Sequence, residues 1–131
     1  MAAALARQAG LPTEDPAQTF RNVNETLRAQ NEETIRQQIA ADPAAGRLWS
    51  GAFRQWPGSA VMSRFAELRN YSFEEQPVST ARHYGFDLAS TAQAPVTASA
   101  AGRVVFADDL GIYGLCVILD HGLGLSSLYA H

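Results

Sequence analysis

Apolar positions in the first third of the chain recur at helical spacing. Across residues 16–41, Phe20, Val23, Leu27, Ile35 and Ile39 stand three, four or eight residues apart, with Arg, Glu, Gln and Asn between them. That is the pattern of an amphipathic helix. Asp15 ahead of Pro16 predicts its start, an acceptor followed by a proline in the first turn, and Asp42-Pro43 predicts its end. The stripe lapses at Asn31, where Asn31-Glu32-Glu33-Thr34 offers a second helix start as an alternative to one continuous helix. Residues 1–15, alanine-rich and then broken by Gly10, Pro12 and Asp15, predict a loose or weakly helical lead-in.

After Gly46 the texture changes to short apolar pieces separated by Gly, Pro, Ser and Asn, the punctuation of β structure. Strands are predicted over residues 96–98, 102–107 and 115–120. The last turns through His121-Gly122-Leu123-Gly124 into an apolar run at 125–131, a hairpin with glycines where positive φ is wanted. The expected fold is therefore mainly β, an antiparallel sheet preceded by an N-terminal amphipathic helix. It divides into a helical lead-in or linker at 1–46 and a strand-rich domain at 47–131. The run Leu125-Ser126-Ser127-Leu128-Tyr129-Ala130 reaches His131 with no closing turn and would leave an open strand edge, so the chain is expected to be a fragment of a longer protein.

Composition narrows the function classes. Of 131 residues 47% are apolar, enough for a core, and 10 basic against 13 acidic residues give a formal charge of -3. That balance lacks the electrostatic footprint of nucleic-acid binding. No apolar run approaches the roughly 20 residues of a membrane span, and Arg7 interrupts the N-terminus too early for a secretory leader. A lone cysteine, Cys116, excludes an internal disulfide framework.

Candidate chemistry centres on His83 and Asp87. Imidazole and carboxylate suit zinc or another first-row divalent metal. Four residues of straight strand cover roughly 13 Å, too far for shared bonds of about 2 Å, but Gly85 between them predicts a bend that closes the gap. Spacing alone favours the ordinary reading, a surface histidine and a turn or cap carboxylate. Catalytic zinc normally takes three protein ligands and a water, and the chain offers Cys116, His121 and His131 as further candidates. Cys116, within Leu115-Cys116-Val117-Ile118, is expected to be a buried small hydrophobe, and His121 a solvent-facing turn residue. His131 ends a strand, and the pattern leaves its role open. No Gly-x-Ser-x-Gly elbow supports a serine nucleophile, and Gly111-Ile112-Tyr113-Gly114 and Gly122-Leu123-Gly124 lack the spacing of a dinucleotide loop.

Four short motifs, in order, resemble the lysostaphin/LytM-type zinc metallopeptidases, which cut peptide cross-links of bacterial peptidoglycan and have the duplicated hybrid motif fold. His83-Tyr84-Gly85-Phe86-Asp87-Leu88-Ala89 is similar to the family's His-x-Gly-x-Asp-hydrophobic-Ala signature. Ala94-Pro95-Val96-Thr97-Ala98 with Ala101-Gly102-Arg103-Val104-Val105 is similar to its Pro-Val-x-Ala and Gly-x-Val pair. Gly114 to Gly122 and Leu128-Tyr129-Ala130-His131 resemble the hairpin leading to its Tyr-Ala-His segment. Upstream, Ser63-Arg64-Phe65-Ala66-Glu67-Leu68-Arg69 resembles Ser-x-Phe-Gly-x-x-Arg, with Ala66 in place of glycine.

The resemblance implies that His83 and Asp87 are zinc ligands. His131 would be a catalytic histidine that acts on the attacking water or the transition state without binding the metal. His121 would be a turn residue. It also implies peptidoglycan peptides as substrate, a periplasmic or extracellular location in the cell envelope, and further domains upstream and downstream. The family's His-x-His segment, which gives the third ligand, is not among these residues, so the chain alone is expected to be inactive. The alternative is a degenerate, non-catalytic module that binds peptidoglycan or activates a hydrolase. A lipoyl or biotinyl carrier, suggested by the strand pair at 95–105, is excluded because the chain has no lysine.

Overall fold

A computed structural model describes residues 1–131. Seven strands in three antiparallel sheets follow a helical N-terminal region, so the chain is mainly β. The first fifteen residues are better ordered than their sequence suggests: Ala2–Gln8 forms a helix, α1, whose Ala6 is fully buried. Next come α2 (Pro16–Arg21), a π-helical stretch (Asn22–Leu27) and α3 (Arg28–Ala41). Asp15 caps α2 as expected, its Oδ1 accepting the N–H groups of Ala17 at 2.8 Å and Gln18 at 3.2 Å.

No second helix starts at Asn31. Leu27, Asn31, Ile35 and Ile39 are each four apart, so the asparagine occupies the stripe rather than interrupting it. Val23 and Leu27 pack with Ala6, Leu5, Leu11 and Ile112, whereas Ile35 and Ile39 pack on Leu110, Cys116 and Ile118. Asn31 lies between the two clusters, buried, where its Oδ1 accepts the Ile112 N–H at 3.0 Å. A polar residue is needed there because the helix crosses a short 3-10 turn (Gly111–Tyr113) whose amide would otherwise be buried unpaired.

The strands are β1 (Ala60–Ser63), β2 (Leu68–Phe73), β3 (Gln76–Arg82), β4 (Asp87–Ala89), β5 (Arg103–Asp109), β6 (Leu115–Gly122) and β7 (Leu125–Ala130). β1 pairs with β4, β2 with β3, and β5, β6 and β7 form a meander with β6 in the middle. The helical region touches two of these sheets. Besides the contacts around β6, Phe20 packs against Tyr71 with tilted rings, centroids 4.9 Å apart, and Asn24 Nδ2 donates to Ser79 Oγ at 2.8 Å.

Two expectations about the strands are corrected. Residues 96–98 form no strand: Pro95 cannot donate to a ladder, and its carbonyl accepts the Trp56 indole N–H at 2.9 Å. The hairpin between β6 and β7 is also tighter than expected. β6 runs on to Gly122, and Leu123 and Gly124, both at positive φ (56° and 76°), make the turn. His121 is therefore a strand residue and is fully buried, not facing solvent.

Candidate metal centre

β3 ends at Arg82 and β4 begins at Asp87, and the bend between them passes through Gly85. It brings the two side chains together: His83 Nε2 lies 3.1 Å from Asp87 Oδ1. The β1–β2 connection holds this bend from the other side. Ala66 donates its N–H to the His83 carbonyl at 2.7 Å, and His83 donates its own to the Glu67 carbonyl at 2.9 Å. In the β1–β4 pairing Ser63 stands opposite Asp87.

Side chains from the same connection complete the arrangement. Ser63 Oγ lies 3.1 Å from His83 Nδ1 and accepts from Arg69 Nη2 at 2.9 Å. The same Arg69 nitrogen donates to Asp87 Oδ2, and the Ser63 hydroxyl donates to the Glu67 carboxylate. The carbonyl of Arg64 is a second neighbour of His83 Nδ1, at 3.1 Å. The hydrogen bond from Ser63 holds the Glu67 carboxyl below the usual range, and the hydrogen bond to Asp87 pushes the Arg69 guanidinium up.

These contacts assign the imidazole tautomer. A carbonyl can only accept, and the one proton of Ser63 is engaged by Glu67, so both neighbours of Nδ1 are acceptors and Nδ1 carries the hydrogen. In the neutral ring Nε2 then presents a lone pair to a carboxylate oxygen. Two acceptors facing each other this closely are reconciled only by a cation between them or by a second proton on the ring.

The donor set fits zinc in type and separation. Two bonds of about 2.0–2.1 Å at a tetrahedral angle place a nitrogen and an oxygen donor about 3.3 Å apart, against 3.1 Å here. It does not complete a site, for no group of three or more His, Cys, Asp or Glu stands together. Cys116 is buried among Leu110, Ile118 and their neighbours, and burial pushes its thiol up, which makes it the small hydrophobe expected. His131 is exposed at the end of β7, where its N–H donates to the Tyr113 carbonyl at 3.0 Å. His83 and Asp87 are thus brought together, and His131 is not part of that cluster.

Among known protein families, peptidase family M23 matches residues 81–131. The likeness covers that segment and not the preceding residues. No curated protein matches the chain. The matched segment holds all three histidines and Asp87, whereas Ser63, Glu67 and Arg69 come from the preceding β1–β2 region. The sequence showed Ser63 and Arg69 as parts of a motif but gave them no role. Their role depends on the pairing of β1 with β4.

A second polar cluster in the matched segment was not foreseen. His121 Nδ1 lies 2.7 Å from the Ala101 carbonyl and Nε2 lies 2.8 Å from Ser127 Oγ. Ser127 Oγ is 3.1 Å from the Tyr129 hydroxyl, which in turn accepts the Ser99 N–H at 2.8 Å. Burial pushes the Tyr129 phenol up, but hydrogen bonds from Ser127 and Ser99 outweigh it and leave the phenol below its ordinary value. The Phe53 ring and the His121 imidazole meet edge to face with centroids 4.8 Å apart. This cluster pins the irregular segment around 99–101 to the β6–β7 hairpin. The signal available in the sequence was Asp120-His121-Gly122, but a glycine-flanked histidine reads more readily as a turn.

Proposed function

We propose that the protein acts as a zinc-dependent metalloendopeptidase on peptide cross-links of bacterial peptidoglycan, with His83 and Asp87 as two of the metal's ligands. Family M23 supports a peptidase, and the observation that carries the metal reading is the 3.1 Å approach of His83 Nε2 to Asp87 Oδ1. The envelope location follows from that substrate, periplasmic or extracellular. No helix of the chain is long and apolar enough to cross a membrane.

When bound, zinc supplies Lewis-acid polarisation of the scissile carbonyl and lowers the pKa of a water to about 7. The chain's own residues do the rest. His83 and Asp87 would hold the ion. His131, a residue of the Leu128–His131 motif, stands outside the His83–Asp87 cluster in this structure; the resemblance would give it proton handling at the water or support of the oxyanion. The bend that carries the ligands leaves Tyr84 and Phe86 exposed, and Phe65 lies beside Tyr84 with ring centroids 6.5 Å apart. These rings offer apolar contact to an extended peptide.

Zinc affinity by competition with a chromogenic chelator tests this reading in the wild type, His83→Ala and Asp87→Ala. Two ligands where a catalytic zinc takes three predict weak binding by the wild type and weaker binding by both variants. Equal uptake by all three rejects the metal centre. Sedimentation with purified sacculi addresses the non-catalytic alternative: binding untouched by chelator and by His83→Ala selects the peptidoglycan-binding module instead.

A further inference from the structure

We propose that Ser63 and Arg69 are positioning residues for the metal centre, with Glu67 as their anchor; the proposal rests on the His83–Asp87 reading above. Two side chains facing the two ligands, and a third that anchors one of them, are contributed by one short stretch of chain. Ser63 Oγ and the Arg64 carbonyl, each 3.1 Å from His83 Nδ1, share the Nδ1–H and so commit the Nε2 lone pair to the side where Asp87 stands. Arg69 occupies Asp87 Oδ2, which leaves Oδ1 as the oxygen turned toward Nε2. Glu67 receives the Ser63 proton, so the serine oxygen is free only to accept. The result is a relay in which a carboxylate orients a metal-ligating histidine through a hydroxyl, the role that a direct carboxylate or carbonyl partner fills in other zinc sites.

Each part has an identifiable reason to be where it is. β1 pairs antiparallel with β4, and the register sets Ser63 against Asp87. The backbone bonds of Ala66 and Glu67 with His83, at 2.7 and 2.9 Å, fix the height of the imidazole against the same connection. Arg69 follows at the start of β2, close enough for one guanidinium nitrogen to reach Ser63 and Asp87 together. The arginine acts in two opposed ways. Its positive charge repels an incoming dication, while its hydrogen bond orders the carboxylate. Arg69 and Asp87 are both partly exposed, so solvent screens the repulsion and ordering dominates.

The test is zinc affinity of the whole chain by chelator competition in Ser63→Ala, Ser63→Thr and Arg69→Ala, beside His83→Ala and Asp87→Ala, with the melting temperature of each metal-free protein recorded. Removing an outer partner of a metal ligand typically costs about 10–100-fold in affinity. That loss is expected for both Ser63→Ala and Arg69→Ala. Ser63→Thr keeps the hydroxyl and is expected to bind like the wild type, which a merely structural role for the serine would not require. If the two ligand variants lose zinc while Ser63→Ala or Arg69→Ala binds as tightly as wild type or more tightly, the positioning role is overturned and the metal centre stands. If Ser63→Thr is as weak as Ser63→Ala, the hydroxyl is not the reason. If His83→Ala and Asp87→Ala match wild type, the metal centre itself falls, and the positioning role with it.

Discussion

Ala66 donates its N–H to the His83 carbonyl at 2.7 Å while its own backbone sits at φ 67°. The left-handed conformation costs a residue with a Cβ about 1–2 kcal/mol, and the resembling motif has glycine at this place. The turn that holds the histidine is therefore strained by a methyl group. Glycine relieves that strain and gives back only about 0.5–1 kcal/mol through the freer unfolded chain. Ala66→Gly is expected to raise the urea midpoint modestly and to leave zinc affinity unchanged. A lowered midpoint would show that the strain has no energetic weight.

The β6–β7 turn tests backbone strain against steric contact. Gly122 has φ 85°, and a Cβ there would fall 1.9 Å from the Gly46 carbonyl oxygen; Gly124 has φ 76° with nothing within 4 Å. Gly124→Ala is expected to cost only the conformational term of about 1–2 kcal/mol. Gly122→Ala adds overpacking of about 1–3 kcal/mol, because the opposing atom is backbone and cannot swing away. Equal denaturation midpoints for the two variants would contradict the packing of residues 44–48 against β6.

Asp120 is expected to contribute to acid sensitivity. It is buried, and its carboxylate accepts the N–H groups of Ala44 at 2.7 Å and Gly122 at 2.8 Å. Those bonds, with Arg103 3.6 Å away, hold its carboxyl below the usual carboxylate range. A depressed folded-state value contributes stability that is fully present above the unfolded-state value and is lost as pH falls through the folded one. The chain is therefore expected to lose stability progressively below about pH 4. Asp120→Asn should be less stable at neutral pH and flatter across the acid range, as read from urea midpoints measured between pH 2 and pH 7. Parallel acid slopes in the two proteins would remove Asp120 from that role.

Asn31 is a polar residue in an apolar stripe for one reason, the amide of Ile112. Asn31→Ala leaves that N–H without its partner and is expected to cost about 1–3 kcal/mol, seen as a lower melting temperature. Hydrogen exchange should quicken at Ile112. Exchange there that matches the wild type would mean another acceptor, or water, replaces the asparagine.

Much of this chain was legible from spacing. The capped helix beginning at Pro16, the turn to β structure after Gly46, the β6–β7 hairpin and the convergence of His83 and Asp87 through a bend at Gly85 all follow from local chemistry: a cap, a period, glycines where the chain must turn. Other features were not legible, because a residue's type does not name its distant partner. Asn31 reads as a lapse in the stripe until the 3-10 turn lies under it, 81 residues further along. His121 reads as a turn residue until the Ala101 carbonyl and Ser127 close around its ring.

The order of motifs and the His83–Asp87 pair were properties of the sequence itself, since four residues and one glycine decide whether an imidazole and a carboxylate can meet. Only the tertiary structure decided which oxygen of Asp87 and which nitrogen of His83 face each other. That choice belongs to Ser63, Glu67 and Arg69, which reach the pair through strand pairing, and the free energy that seats them comes from register and packing spread over the fold.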